Sequence, residues 1–219
     1  PGSIRVMYGK KVATDPDGSI WLAMDVDVQS SEGTQSKQIY HFDNFDNGKM
    51  VMVEMKDIVI DHYSDIGIDV EGSLWIVGRK GKDEALFPFK YDGIQWTQYQ
   101  HTLDGSTNME VPIWIVSPGG EVWILSRDEN KRGTFYRYNN QRDHFEVFRQ
   151  GFVVPWANGL RGFTRDGRLW GTYWTGKYYS VVSYDLQATD NIKEEYLTPK
   201  VAHNTSFFES RDGTIYCTS

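Results

Sequence analysis

Asp166-Gly167-Arg168-Leu169-Trp170 is one of five copies of a single local pattern. The others are Asp17-Gly18-Ser19-Ile20-Trp21, Glu71-Gly72-Ser73-Leu74-Trp75, Gly119-Gly120-Glu121-Val122-Trp123 and Asp212-Gly213-Thr214-Ile215-Tyr216. Successive glycines stand 54, 48, 47 and 46 residues apart, a drift that allows for loop insertions around one repeated unit. Self-similarity at this period marks a supersecondary element that stacks on its own copies. A glycine after Asp, Glu or Gly permits a positive φ at a tight strand connection and lets two backbones approach where a Cβ would clash. The apolar residue and the aromatic behind it supply the area that one unit buries against the next. Trp21, Trp75, Trp123, Trp170 and Tyr216 are therefore read as packing residues, because recurrence in every repeat tracks a shared core better than a unique ligand platform.

Outward from that turn, alternation and turn signals divide each unit into four strands. The first precedes the glycine: residues 66–70, 113–116, 160–164 and 206–210, with 11–14 the weakest copy. The second begins at the tryptophan. The third carries an aromatic signature, as in Ile39-Tyr40-His41-Phe42, Phe87-Pro88-Phe89-Lys90-Tyr91, Phe135-Tyr136-Arg137-Tyr138 and Val181-Val182-Ser183-Tyr184. The fourth is a polar-alternating edge at 51–55, 96–99, 145–148 and 194–197. Four antiparallel strands in a unit of this length describe a blade, and the fold expected is an all-β propeller of about five blades. Repeat units fall at about 9–57, 58–104, 105–152, 153–200 and 201–219 of a single domain.

The ends do not balance. The fifth unit stops after its second strand, and residues 4–8 offer a single additional N-terminal strand, so closure would leave one blade short. Either the chain is a five-bladed propeller with one thin blade or, the reading slightly preferred, it is a segment of a larger one; in both cases the incomplete blade exposes an edge that invites self-association.

Composition agrees with many short strands: helix-favouring runs are nearly absent, and eight Trp and thirteen Tyr accompany frequent Gly. A net charge of −7 argues against a general nucleic-acid binder, which needs a basic surface. No apolar run approaches the roughly 20 residues needed to cross a bilayer, and the single Cys217 excludes an intrachain disulfide.

The pattern Gly120-Glu121-Val122-Trp123 followed by Gly133-Thr134-Phe135-Tyr136-Arg137-Tyr138 resembles the two-component regulator propeller repeat. The segment Trp75-Ile76-Val77-Gly78-Arg79 keeps part of that pattern, and Trp21-Leu22-Ala23-Met24 departs from it. The resemblance implies an extracellular or periplasmic sensor that recognises carbohydrate fragments and couples to a histidine kinase. No kinase signature lies in this chain, so signalling output would reside elsewhere.

In a propeller, the loops entering the innermost strands and those between second and third strands cluster around the channel. The first set supplies His62, Tyr63, Trp156, Asn158, Arg161, His203 and Asn204; the second supplies Arg79, Arg127 and Trp174. Tyr63 and Trp156 have flat faces on which sugar rings stack, and the polar members suit hydroxyls or a carboxylate, so a small-molecule or oligosaccharide ligand is expected at this mouth. Catalysis has less to recommend it. A lyase or hydrolase could use His62 and His203 with Asp61, Glu110 or Glu129, but no nucleophile elbow, phosphate loop or zinc-ligand spacing is present. An interaction scaffold is the third reading. Asp25, Asp27 and Glu32, in a long loop expected at 25–36, are better read as solvated acids than as calcium ligands. Neither metal nor cofactor is expected.

Overall fold

The computed structural model describes residues 5–15, 18–27, 35–43, 49–55, 58–60, 66–80, 86–99, 110–117, 119–127, 132–153, 160–174, 177, 179–186, 193–201, 206–210 and 212–218. All regular structure among them is β, in five antiparallel sheets. The chain divides into two compact units, residues 1–101 and 102–219.

The first unit holds two sheets. One runs β1 (Arg5–Thr14), β2 (Ile20–Asp27), β3 (Gln35–Asp43) and β4 (Lys49–Val53) in sequence order. In the other, β5 (Ile58–Ile60) and β6 (Ile66–Ile68) both pair with β7 (Leu74–Lys80), followed by β8 (Phe87–Tyr91) and β9 (Trp96–Gln98). The second unit holds β10 (Glu110–Val116), β11 (Val122–Arg127), β12 (Arg132–Asn139) and β13 (His144–Val153). A further sheet follows with β14 (Leu160–Phe163), β15 (Arg168–Trp174), β16 (Tyr179–Asp185) and β17 (Lys193–Val201), and a two-stranded sheet is formed by β18 (Ser206–Glu209) and β19 (Ile215–Thr218). Each full sheet is a meander of the kind expected, and the aromatic third strands fall at β3, β8, β12 and β16.

The cores lie at the seams between sheets. Trp21, Ala23, Ile39 and Val53 of the first sheet pack on Ile58, Ile60, Ile66, Ile68, Leu74, Ile76 and Phe89 of the second. In the second unit Trp123, Leu125 and Phe135 meet Leu169, Val182, Tyr184 and Leu186. Residues 74–78 and 122–126 are buried without interruption, as second strands covered on both faces must be. Burying each such Leu, Ile or Phe contributes about 1.5–3 kcal/mol.

All five glycine turns close identically. The glycine N–H bonds the carbonyl three residues back, and that same earlier residue donates its N–H to the carbonyl four residues on, as in Gly72 to Asp69 and Asp69 to Ser73. The turn glycines sit at φ between 73° and 90°, in the left-handed region. A Cβ at Gly18, Gly72 or Gly167 would meet nothing within 4 Å. Of the two reasons that the sequence suggested for the glycine, positive φ holds, and close backbone approach does not apply at these three turns. Close approach governs Gly78, where a Cβ would lie 2.7 Å from the Val59 carbonyl oxygen.

Two local expectations change. Arg5 to Met7 pair with Asp27 to Asp25, so they extend β1 past a bulge and do not form a separate strand available to the last sheet. The loop expected at 25–36 is shorter, because Asp25 and Asp27 pair within the β2–β3 ladder, opposite Lys37 and Gln35. Glu32 lies outside the described residues. The first strands of the four larger sheets are irregular, whereas β18 pairs with β19 in unbroken register. Between Met7 and Lys11, Ile60 and Ile66, Glu110 and Ile113, and Leu160 and Gly162, each advances further than the second strand opposite it.

Candidate functional site

The recurring turn is a packing device with its own polar core. The residue three before the glycine, Asp15, Asp69, Ser117, Thr164 or Ser210, is a hydrogen-bonding side chain in every copy. Its oxygen accepts the indole N–H of the tryptophan six residues on: Trp21 to Asp15 at 2.7 Å, Trp75 to Asp69 at 2.7 Å and Trp170 to Thr164 at 3.0 Å. Asp69 also accepts the backbone N–H groups of Glu71 and Ser73, so the buried carboxylate is well satisfied. Lys90 approaches it at 3.3 Å and Glu71 at 3.0 Å. Burial is the largest influence on Lys90 and opposes its charge, but the Glu71 hydrogen bond and the two carboxylate fields together hold its pKa above the ordinary value. The third turn differs. Ser117 Oγ accepts the Glu121 N–H, and the buried Trp123 indole nitrogen finds no hydrogen-bond partner among the described residues. This device escaped the sequence reading, although Asp, Ser or Thr at that fixed offset was its visible signal.

Of the residues expected at the channel mouth, His62, Tyr63, Trp156, Asn158, His203 and Asn204 lie outside the described residues. Arg161 falls in β14, where the backbone alone is described. Arg79, Arg127 and Trp174 each stand four residues past the turn tryptophan, at or next to the end of β7, β11 and β15. They therefore share one register position in three sheets. Arg79 is half-buried opposite Val59.

A different concavity is lined by described residues. A groove of about 470 Å³ opens in the first unit, where the chain leaving β4 meets the β8–β9 hairpin. Buried Ile58 and Phe89 lie beneath it, Tyr91 and Trp96 supply aromatic faces, and Glu54, Ile94, Gln95 and Gln98 complete its lining. Tyr91 and Trp96 are cross-strand partners with ring centroids 5.0 Å apart. Trp96 donates its indole N–H to the Glu54 carbonyl oxygen at 3.0 Å, Tyr91 donates its hydroxyl to the Gly93 carbonyl at 2.9 Å, and Trp21 meets Tyr91 edge-on at 5.9 Å. With its N–H occupied, the half-buried Trp96 offers the groove an apolar surface held in place.

The hairpin that carries this groove has a counterpart. In the third sheet Tyr138 and Phe145 are the equivalent cross-strand pair, 5.4 Å apart, and Asn139 caps its turn through Gln141 and Arg142 as Asp92 caps Ile94 and Gln95. There the outer aromatic, Phe145, is completely buried. Backbone N–H bonds from Gln95 and Ile94 hold the Asp92 carboxyl below its ordinary pKa. The sequence reading placed Trp96 in a polar edge strand; a tryptophan among Gln and Thr on such a strand was the signal for the groove.

No family model matches the chain, and no curated protein is significantly similar to it. Among solved structures, the chain is similar to a glucose dehydrogenase with a TM-score of 0.56 at 12% identity, over 98% of this chain and 82% of that one. It is similar to the Hadza microbial sialidase Hz136 with a TM-score of 0.53 at 11% identity, over 89% of this chain and 46% of that one. It is also similar to the periplasmic gluconolactonase PpgL of Pseudomonas aeruginosa with a TM-score of 0.52 at 15% identity, over 97% of this chain and 67% of that one. The chain thus spans about half the length of the sialidase. At these identities the likeness concerns the fold, which is that of a β-propeller built from four-stranded blades, with two strands described in the fifth sheet.

Proposed function

We propose that this chain recognises a carbohydrate-like ligand and serves as the extracytoplasmic part of a two-component sensor, in the periplasm or outside the cell. The observation that carries the reading is the groove beside Trp96, where fixed aromatic faces stand next to two glutamine amides. Sugars present apolar C–H faces and a rim of hydroxyls that both donate and accept; aromatic rings and amides are the matching chemistry. The sialidase, gluconolactonase and glucose dehydrogenase that share the fold are by name proteins of sugar chemistry, and one is periplasmic, which supports the same reading. No helix among the described residues is long and apolar enough to cross a membrane. His62, Tyr63, Arg79, Arg127, Trp156, Asn158, Arg161, Trp174, His203 and Asn204 remain the proposed contacts at the channel mouth.

Thermal unfolding against a panel of oligosaccharides, with product analysis on the same samples, tests the proposal. A ligand at 100 times its dissociation constant stabilises the fold by about 2.7 kcal/mol. Stabilisation without turnover is the expected result. Product formation would move the protein to the lyase or hydrolase class, and the absence of any shift would count against a carbohydrate ligand.

A further inference from the structure

We infer that the groove beside Trp96 is a subsite for a neutral sugar and discriminates against sugar acids. This rests on the carbohydrate reading above and adds the charge class of the ligand.

Among the described residues that line the groove, Glu54 is the one that carries charge and none is cationic. A second carboxylate, Asp92, sits in the turn that presents Ile94 and Gln95, and the backbone N–H groups it accepts keep it ionised. Lys90 precedes Tyr91 on β8, so the two side chains leave opposite faces of the sheet. Lys90 is engaged with Asp69 and Glu71 and lies over the Trp75 ring, 5.6 Å from its centroid. A uronic or sialic acid would therefore bring its carboxylate towards negative charge, with no counter-ion among the described lining residues. A neutral ring meets no such cost. Gln95 and Gln98 supply both donors and acceptors for its hydroxyls, and the pinned indole of Trp96 faces its C–H side. The comparison with the third sheet points the same way: the same aromatic hairpin is closed there by buried Phe145, whereas here a half-buried tryptophan stands at the groove.

Calorimetry and ligand-observed NMR on the full chain decide the matter, using methyl glycosides of glucose, galactose and mannose, neutral oligosaccharides of the same sugars, and the matching glucuronides and galacturonides. Neutral ligands are expected to bind more tightly than their uronate counterparts by about fivefold at low salt, the size of a screened repulsion across a few ångströms of wet groove. Trp96→Ala should weaken neutral binding by about tenfold, the equivalent of one good aromatic contact. Glu54→Gln should narrow the uronate penalty. Uronates binding as well as neutral sugars, or a ratio indifferent to Glu54→Gln, would overturn the neutral-sugar inference while leaving the carbohydrate reading intact. Neutral binding that survives Trp96→Ala at full strength would place the sugar elsewhere. If no sugar of either class binds, the carbohydrate reading itself fails.

Discussion

The imidazole of His41 lies flat on the indole of Trp21, with ring centroids 4.1 Å apart and planes inclined by 21°. The two are cross-strand partners, and the same position opposite the turn tryptophan holds Lys90 in the second sheet, Arg137 in the third and Ser183 in the fourth. Lys90 and Arg137 place their charges 5.6 and 5.7 Å from the Trp75 and Trp123 rings. Arg168 reaches Ser183 Oγ from the fourth turn. A cationic or cation-capable side chain thus lies over the first three tryptophans, and in the fourth sheet Arg168 bonds the serine opposite Trp170. His41→Lys is expected to preserve stability, and His41→Ala to cost about 1 kcal/mol, the worth of one aromatic stack. Urea midpoints of the two variants provide the check.

The acceptor three before the glycine is worth more where it is most buried. Asp69→Ala would strand the Trp75 indole N–H and two backbone N–H groups, at a cost of about 3 kcal/mol. The opposite change is available in the third turn. Ser117→Asp offers the Trp123 indole the acceptor it lacks among the described residues and should raise stability by about 1 kcal/mol. Chemical denaturation of both variants measures this, and a destabilised Ser117→Asp would show that a carboxylate cannot reach the indole there.

Two glycines should respond to alanine for different reasons. At Gly72 only the left-handed backbone is penalised, at φ +82° with open space around the added Cβ, so the expected cost is about 1 kcal/mol. At Gly78 the added Cβ must push the Val59 carbonyl, and the expected cost is about 2–3 kcal/mol. Hydrogen exchange separates them further: Gly78→Ala should expose the β5–β7 amides, and Gly72→Ala should not.

Asp212 gives the fold an acid limb. The Ser210 hydroxyl donates to it, and then the Thr214 N–H, and its pKa is lowered from 3.8 to about 2. Because the folded value is the lower one, its contribution is present above 3.8 and is lost as pH falls towards 2. Ser210→Ala should return the carboxyl towards 3.8, seen as an upward shift of its NMR titration midpoint.

The propeller was legible because its signal is local and repeated. Positive φ at a glycine and a large aromatic three residues later need no distant information, and five copies of them mark out five sheets. The polar acceptors were present in the sequence at a fixed offset, yet Asp15 or Ser117 taken singly looks like any turn residue; only the indole geometry shows what they hold. Trp96 was missed for another reason. Whether an edge-strand aromatic is buried, as Phe145 is, or stands in a groove, as Trp96 does, depends on what the adjoining chain places beside it, and strand periodicity contains nothing about that. The N-terminal strand was misassigned because a bulge between Met7 and Lys11 breaks the alternation that would have joined 5–7 to 11–14.

The irregular first strands have an evolutionary reading. In the second sheet Ile60 pairs with Gly78 and Ile66 with Ile76, so two ladders separated in the chain meet β7 on either side of one residue, Val77. Each flank is anchored by its own ladder, which makes the intervening stretch a cassette that can be rewritten in length and composition without shifting the register on either side. Selection can thus change the length or composition of the chain between two such ladders while the turn, the tryptophan and the seam stay as they are.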